Sequence, residues 1–185
     1  MKDIEFRLAK KSELASIAVL SRNFIERGLG WSWTPERLKK SYSSRDTNIL
    51  VACTPSLEQV QGTPIVKNSF REHPQVKQQV VGFGIMHYGA MEANLNLLAV
   101  IPEYRRMGIG KFMVQWLEKS ALTAGIDVVY LQCRSVNVAA QQFYQKMGYR
   151  KLRNLPKYYS AHESAILMGH DLLMPVQNTY LQKPY

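Results

Sequence analysis

The sequence predicts an α/β domain built on a mixed sheet, and three observations lead to that fold class. Segments of strand character and of helix character alternate along most of the chain, the pattern of a sheet covered by helices. The clearest unit is residues 94–125, NLNLLAVIPEYRRMGIGKFMVQWLEKSALTAG. There an apolar run ends at Val100, Pro102 stops it from continuing as a central strand, and a glycine-containing turn follows. The turn leads into Ile109, Phe112, Met113, Trp116 and Leu117 at the i, i+3, i+4 spacing of an amphipathic helix. Lastly, 185 residues with 46% hydrophobic side chains suit one domain with a single core.

In chain order, residues 4–8 alternate apolar and polar as a first strand does. Ser12 is placed to cap a helix whose apolar face is Leu14, Ile17, Ala18, Phe24 and Ile25, and Gly28 ends it. Residues 28–33, GLGWSW, form a glycine and aromatic loop, after which Thr34 and Pro35 suit the cap and first position of a second helix reaching about residue 41. Trp31 and Trp33 are either core plugs or the lining of a substrate cleft. Residues 48–53 and 80–88 read as the second and third strands, with Gly82 and Gly84 marking a bulge or the close approach of another backbone. Between them residues 54–79, with Pro55, Gly62, Pro64 and Pro74 and no periodicity, read as an irregular insertion.

The helix of the central unit stops at Gly125, and residues 128–134 form a buried strand. A helix over residues 137–147 places Ala139, Ala140, Phe143, Tyr144 and Met147 on one side, with Gly148 as its stop. Residues 149–152 and 164–173 supply the last two strands, and the tail over 175–185 has no readable pattern. The expected architecture is one domain over residues 1–174, with about seven strands and about four helices.

Composition narrows the classes of function. Twenty-four basic against 14 acidic residues give +10 at pH 7, which favours polyanionic partners. The basic residues are spread along the chain and no zinc-finger or RNA-binding signature accompanies them, so nucleic acid is not the expected partner. Cys53 and Cys133 are too few for a disulfide framework and read as buried thiols in a reducing compartment. Met1 is followed by Lys2, Asp3 and Glu5 with no secretory pattern, and no apolar run approaches spanning length. A cytoplasmic protein without a membrane partner is expected.

The turn of the central unit carries the chemistry. The first N–H groups of a helix have no partner within it and sit at the positive end of its dipole, so they receive anions. Gly108 and Gly110 remove side chains that would hold a phosphate off the backbone, and Arg105, Arg106 and Lys111 add positive charge. A Walker-type loop requires Ser or Thr after Gly-Lys, but Gly110-Lys111 is followed by Phe112. A dinucleotide fingerprint needs three glycines after a first strand and an acidic residue about 20 positions further on, whereas this loop has two glycines and lies in mid-chain. A third possibility is the Arg/Gln-x-x-Gly-x-Gly/Ala loop that cradles the diphosphate of coenzyme A, which Arg105-x-x-Gly108-x-Gly110 fits in full; the alternative is that Gly108 and Gly110 only shape a strand-to-helix turn.

With that loop the sequence resembles the GNAT family of N-acetyltransferases. A second segment carries the same likeness: Asn137, Ala140, Tyr144, Gly148 and Tyr149 fit the family's Asn-x-x-Ala-x-x-x-Tyr-x-x-x-Gly-Tyr/Phe pattern, at the family's distance after the loop. The resemblance covers about residues 4–172. It implies a single-domain fold with splayed central strands, acetyl-CoA as cosubstrate and no metal. It also implies that the exposed edge of Leu98, Ala99 and Val100 pairs with the pantetheine arm, a form of strand addition. By the same likeness the diphosphate rests on the N–H groups of Arg106, Met107, Gly108, Ile109, Gly110 and Lys111, with Arg105 beside them. The amide of Asn137 then holds the pantetheine and Tyr144 faces the sulfur. A phenol with a reference pKa of about 10 can protonate a departing thiolate of pKa about 8.5, which suits Tyr144 as general acid. A backbone N–H near Leu98 would serve the oxyanion.

Residues 157–168, KYYSAHESAILM, look like the corresponding stretch of the subgroup that acetylates the N-terminal alanine of a ribosomal protein. Tyr158 and Tyr159 would then flank the acceptor, and Trp31 and Trp33 would line the substrate cleft between the first two helices. That subgroup carries a glutamate base in a Leu-Glu-Val-Arg context, whereas this chain reads Leu131-Gln132-Cys133-Arg134. Gln132 cannot accept a proton. Glu92 and His87 are the nearest alternatives, Glu92 sharing the parity of Asn94, Asn96 and Leu98 if the strand begins that early. The expectation is direct acetyl transfer to a primary amine in a ternary complex, with a protein or peptide N-terminus favoured as acceptor. A small-molecule amine acetyltransferase and a non-catalytic CoA-binding regulator are the alternatives, and a homodimer is left open.

Overall fold

The computed structural model of the chain describes residues 4–55 and 78–174. The insertion over residues 56–77 and the tail from residue 175 lie outside the described residues. The elements run β1 (Glu5–Leu8), α1 (Leu14–Phe24), α2 (Pro35–Tyr42), β2 (Thr47–Pro55), β3 (Gln78–Tyr88), β4 (Ala93–Val100), α3 (Ile109–Thr123), β5 (Val128–Arg134), α4 (Val138–Lys146), β6 (Arg150–Ser160) and β7 (Glu163–Asp171). The strands form one seven-stranded sheet in the order β1-β2-β3-β4-β5-β7-β6. All neighbouring pairs are antiparallel except β4 and β5, which run parallel, so the chain leaves the end of β4 and crosses through α3 before β5 begins.

Strand alternation divides the core into two layers. In β2, Leu50 and Ala52 face α3, where Met113, Leu117 and Ala121 are buried. Ile49, Val51 and Cys53 face the opposite way, against Leu14, Ile17 and Ala18 of α1 and Leu38 of α2. Gly84 explains how closely α3 lies on the sheet: a Cβ there would stand 3.0 Å from Leu117 Cδ1.

Several boundaries differ from the sequence expectation for identifiable reasons. Ser12 does not cap α1. Residues Lys11–Glu13 form a short 3-10 turn, and the Glu13 carboxylate accepts from the Lys10 N–H at 2.7 Å while Arg7 donates two further bonds to it at 2.9 and 2.7 Å. The buried face of α1 is Leu14, Ile17, Ala18 and Ser21, with Phe24 exposed beyond it. Thr34 does cap α2, accepting from the Arg37 N–H at 3.4 Å. Strands β2 and β3 each reach further than predicted, so that Thr54 pairs with Gln79 and Pro55 with Gln78 at the foot of the insertion. Strand β6 reaches Ser160 rather than stopping at residue 152. It is an edge strand, exposed along nearly its whole length and interrupted by register shifts, and its polar sequence shows no alternation.

Candidate active site at the open seam of the sheet

The parallel seam between β4 and β5 is short. Ala93 pairs with Val129, Asn94 with Tyr130 and Leu95 with Leu131, and there the pairing ends. A register shift on the other edge of β4, where Ile85 lies opposite Leu97 and Met86 opposite Leu95, leaves Asn96 out of register. Past this point the strands diverge, which is the splay that the resemblance implied. The opening holds a cavity of about 930 Å³, walled by Leu95 to Leu98 on one side and Leu131 to Arg134 on the other. That is large enough for a small-molecule ligand.

At the end of β4 the chain turns into the glycine loop. Arg106 and Gly108 take left-handed conformations with φ of 66° and 81°. The first bond of α3 runs from the Phe112 N–H to the Gly108 carbonyl at 3.0 Å. Among the described residues, the N–H groups of residues 106–111 donate to no acceptor, which leaves a row of bare donors at the helix tip. Arg105 does more than add charge: its Nε donates to the Val100 carbonyl at 2.9 Å and pins the corner between strand and loop. A Cβ at Gly110 would meet the Phe143 ring at 3.6 Å, ordinary contact that an alanine tolerates.

Helix α4 brings the second predicted group. Tyr144 lines the cavity and is only 9% exposed, with its ring edge-on to Phe143 and Tyr149. Burial pushes its phenol well above the ordinary value, so it stays protonated at neutral pH. Asn137 also lines the cavity and caps α4, its Oδ1 accepting from the Ala140 N–H at 3.1 Å, which leaves its amide NH2 to donate. Gln141, which sequence reasoning missed, is buried and its Nε2 donates to the carbonyls of Arg134 at 3.2 Å and Ser135 at 2.8 Å. It holds the bend from β5 into α4.

Of the strand residues expected at the pantetheine, Leu98 lines the cavity, whereas Ala99 and Val100 lie beyond its wall and are half-buried. The four aromatic residues expected around the acceptor all line it: Trp31, Trp33, Tyr158 and Tyr159. Trp33 is both core plug and lining, buried at one face and bordering the cavity with another. Tyr159 donates its O–H to the Gln132 carbonyl at 2.9 Å, and burial raises its phenol as well. Arg134 makes two hydrogen bonds to Glu163, at 2.8 and 3.1 Å, and reaches the Arg27 carbonyl at 2.9 Å, which ties β5, β7 and the end of the first helical region together.

The two suggested bases lie elsewhere. Strand β4 begins at Ala93, so Glu92 stays in the exposed turn before it and does not share the strand's alternation. His87 is exposed and hydrogen-bonded to Thr47 Oγ1 at 3.2 Å. Neither borders the cavity. Among the described residues, the carboxylate that does is Glu26, between α1 and α2. It is 6% exposed and accepts from Ser21 Oγ at 3.1 Å, the Ser32 N–H at 2.7 Å, Ser32 Oγ and the Trp33 N–H at 3.3 Å. No motif announces it. The available signal was an acidic residue directly after an apolar helix and ahead of a glycine and tryptophan loop.

Glu26 holds that loop in place, so Glu26→Gln, which turns an NH2 toward donors, is expected to lower Tm by about 4–8 °C. The acceptor KM should rise about tenfold while affinity for the acyl donor stays within about twofold. Thermal unfolding, steady-state kinetics and calorimetry check the three quantities separately.

Among the described residues no helix is long and apolar enough to cross a membrane, and no group of three or more His, Cys, Asp or Glu is placed to hold a metal ion. Cys53 and Cys133 are both buried and free, and burial pushes each thiol up to about 11.

A mixed sheet with an open parallel seam, a helix tip of bare amides and a buried tyrosine beside the opening are the features that the resemblance to the N-acetyltransferases implied. The chain belongs to the acetyltransferase (GNAT) family, whose model matches residues 47–149. An uncharacterized N-acetyltransferase of Methanocaldococcus jannaschii is 39% identical over 97 residues, 51% of this chain and 61% of the relative's length. A ribosomal protein bS18-alanine N-acetyltransferase of Salmonella typhimurium is 29% identical over 99 residues, covering 52% of this chain and 67% of that one. In fold, the chain superposes on an Arabidopsis thaliana NAA60 structure in complex with acetyl-CoA with a TM-score of 0.71 and 18% identity, over 90% of this chain and 97% of that one.

Proposed function

We propose that the protein is an acetyl-CoA-dependent N-acetyltransferase whose acceptor is a protein or peptide N-terminal amine. The observation that carries this reading is the row of unpartnered N–H groups over residues 106–111, at the tip of the helix that follows the open edge of β4. They suit a diphosphate, and the exposed edge of β4 suits an amide-bearing arm. Relatives named as ribosomal protein bS18-alanine N-acetyltransferases support a protein acceptor, as do the four aromatic residues that line the cavity.

Acetyl-CoA supplies an activated acetyl group as a thioester. The amine nitrogen of the acceptor attacks the thioester carbonyl, the new C–N bond forms, and the C–S bond breaks as the tetrahedral intermediate collapses. The backbone N–H of Leu98, which lines the cavity beyond the last rung of the seam, is the donor we assign to the developing oxyanion. The Tyr144 hydroxyl donates its proton to the departing sulfur, and burial keeps that proton in place until it is needed. Gln132 takes no proton. An α-amino group with a pKa of about 8 is already neutral in roughly a tenth of molecules at pH 7. The one proton that its nitrogen sheds on becoming an amide leaves through water, which also returns a proton to Tyr144.

Calorimetric titration with acetyl-CoA, followed by thiol release with a panel of N-terminal peptides and small amines, tests the reading. Turnover on peptides is the expected result. Turnover on small amines alone makes this a small-molecule acetyltransferase, and binding without turnover makes it a regulator.

A further inference from the structure

Resting on the acyl-transfer reading above, the charges around the cavity point to a more specific acceptor. Its wall contains Glu26, Arg37 and Arg134 as charged residues. Arg134 is committed to Glu163 through two hydrogen bonds. Arg37 has no carboxylate partner among the described residues. Its position is not explained by helix stability either. It lies in the first turn of α2, where the helix dipole favours acids, and Glu36 already occupies that turn.

What holds Arg37 is the cavity wall itself. Its guanidinium lies over the Trp33 ring at 4.1 Å from the centroid, and Nη1 donates to the Ser32 carbonyl at 3.4 Å. Ser32 and Trp33 are the residues whose N–H groups bind Glu26. One short stretch of loop therefore presents a buried carboxylate on one side and an exposed guanidinium on the other. The carboxylate is taken up by the loop, whereas among the described residues the guanidinium is left free to meet a carboxylate on the acceptor.

We infer that the acceptor is a peptide N-terminus with an acidic side chain at its second residue, the carboxylate bound by Arg37. Three peptides that begin Ala-Glu, Ala-Gln and Ala-Lys and are otherwise identical test this with the full chain and acetyl-CoA. The expected order of kcat/KM is Glu above Gln above Lys, by roughly fivefold per step at low salt, and the contrast should shrink in 1 M salt. Arg37→Gln should flatten the order and Arg37→Glu should reverse it. Because each order is read within one enzyme, a variant of reduced activity still reports it.

A flat or reversed order in the unaltered chain overturns the inference, as does an order that survives Arg37→Glu. Faster transfer to free glutamate than to any peptide overturns the peptide class. Bound acetyl-CoA with no transfer to any of the three peptides overturns the acyl-transfer reading itself, and this inference with it.

Discussion

Replacing Tyr144 by phenylalanine is expected to lower kcat by a factor of about 10² to 10³ and to change the affinity for acetyl-CoA by no more than about threefold. The ring stays in its place between Phe143 and Tyr149, because phenylalanine fills the same space and keeps both edge-on contacts. What disappears is one O–H that lies in the cavity wall and has no hydrogen-bond partner among the described residues. The loss should therefore fall on the step in which charge builds on sulfur. Thiol release under saturating substrates gives kcat, and calorimetry gives the affinity. Equal losses in the two would mean that the hydroxyl helps to hold the donor and is not its acid. Since burial raises the phenol, the protonated and active form should persist through neutral pH, with any loss from its ionisation confined to strongly alkaline solution.

The second large effect is expected at Gly108. With φ of 81° this residue sits where a β-branched side chain is strained, and its neighbour Arg106 is already left-handed at 66°. Gly108→Val is expected to cost about 2–3 kcal/mol, taken either from stability or from the loop's shape, and to weaken acetyl-CoA binding by roughly thirtyfold or more. Gly110→Ala gives the contrast. The added methyl would rest against Phe143 at ordinary contact distance, so a loss of only a few fold is expected. Calorimetric titrations of both variants, alongside thermal unfolding, separate a reshaped loop from a destabilised fold. Comparable losses in the two would remove the special status given to the left-handed turn.

The central strand, loop and helix were legible in the sequence because each is encoded locally. An apolar run, a proline, two glycines and a helical repeat lie within about thirty residues, and neighbouring side chains suffice to read them. The cap on α2 was legible for the same reason, as Thr34 and Pro35 act on adjacent backbone. Strand β6 was not, because an edge strand bathed in solvent has no buried face to impose alternation, and Pro156 with its left-handed neighbour Lys157 obscured it further. Ser12 was a reasonable cap by type, but it lost to Glu13, which lies in a 3-10 turn and is held by Arg7 from strand β1. Glu26 and Gln141 were hidden for a related reason. Each works by gathering backbone groups that only the fold brings together, and the sequence offers no more than the placing of Glu26 between an apolar helix and a glycine and tryptophan loop. The glutamine at position 132 was visible, whereas Glu92 and His87 stayed plausible as bases only because the sequence does not mark that β4 begins at Ala93.

The brevity of the seam between β4 and β5 bears on how the enzyme lasts as well as on what it binds. Four strands on one side and three on the other meet through three rungs, so the sheet resembles two plates sharing a narrow weld. A thioester guest laid along the open edge would act as further rungs and spread the load between the plates. Empty protein should accordingly be the more readily clipped by proteases, and the supply of that guest would govern the working lifetime of the catalyst along with its rate.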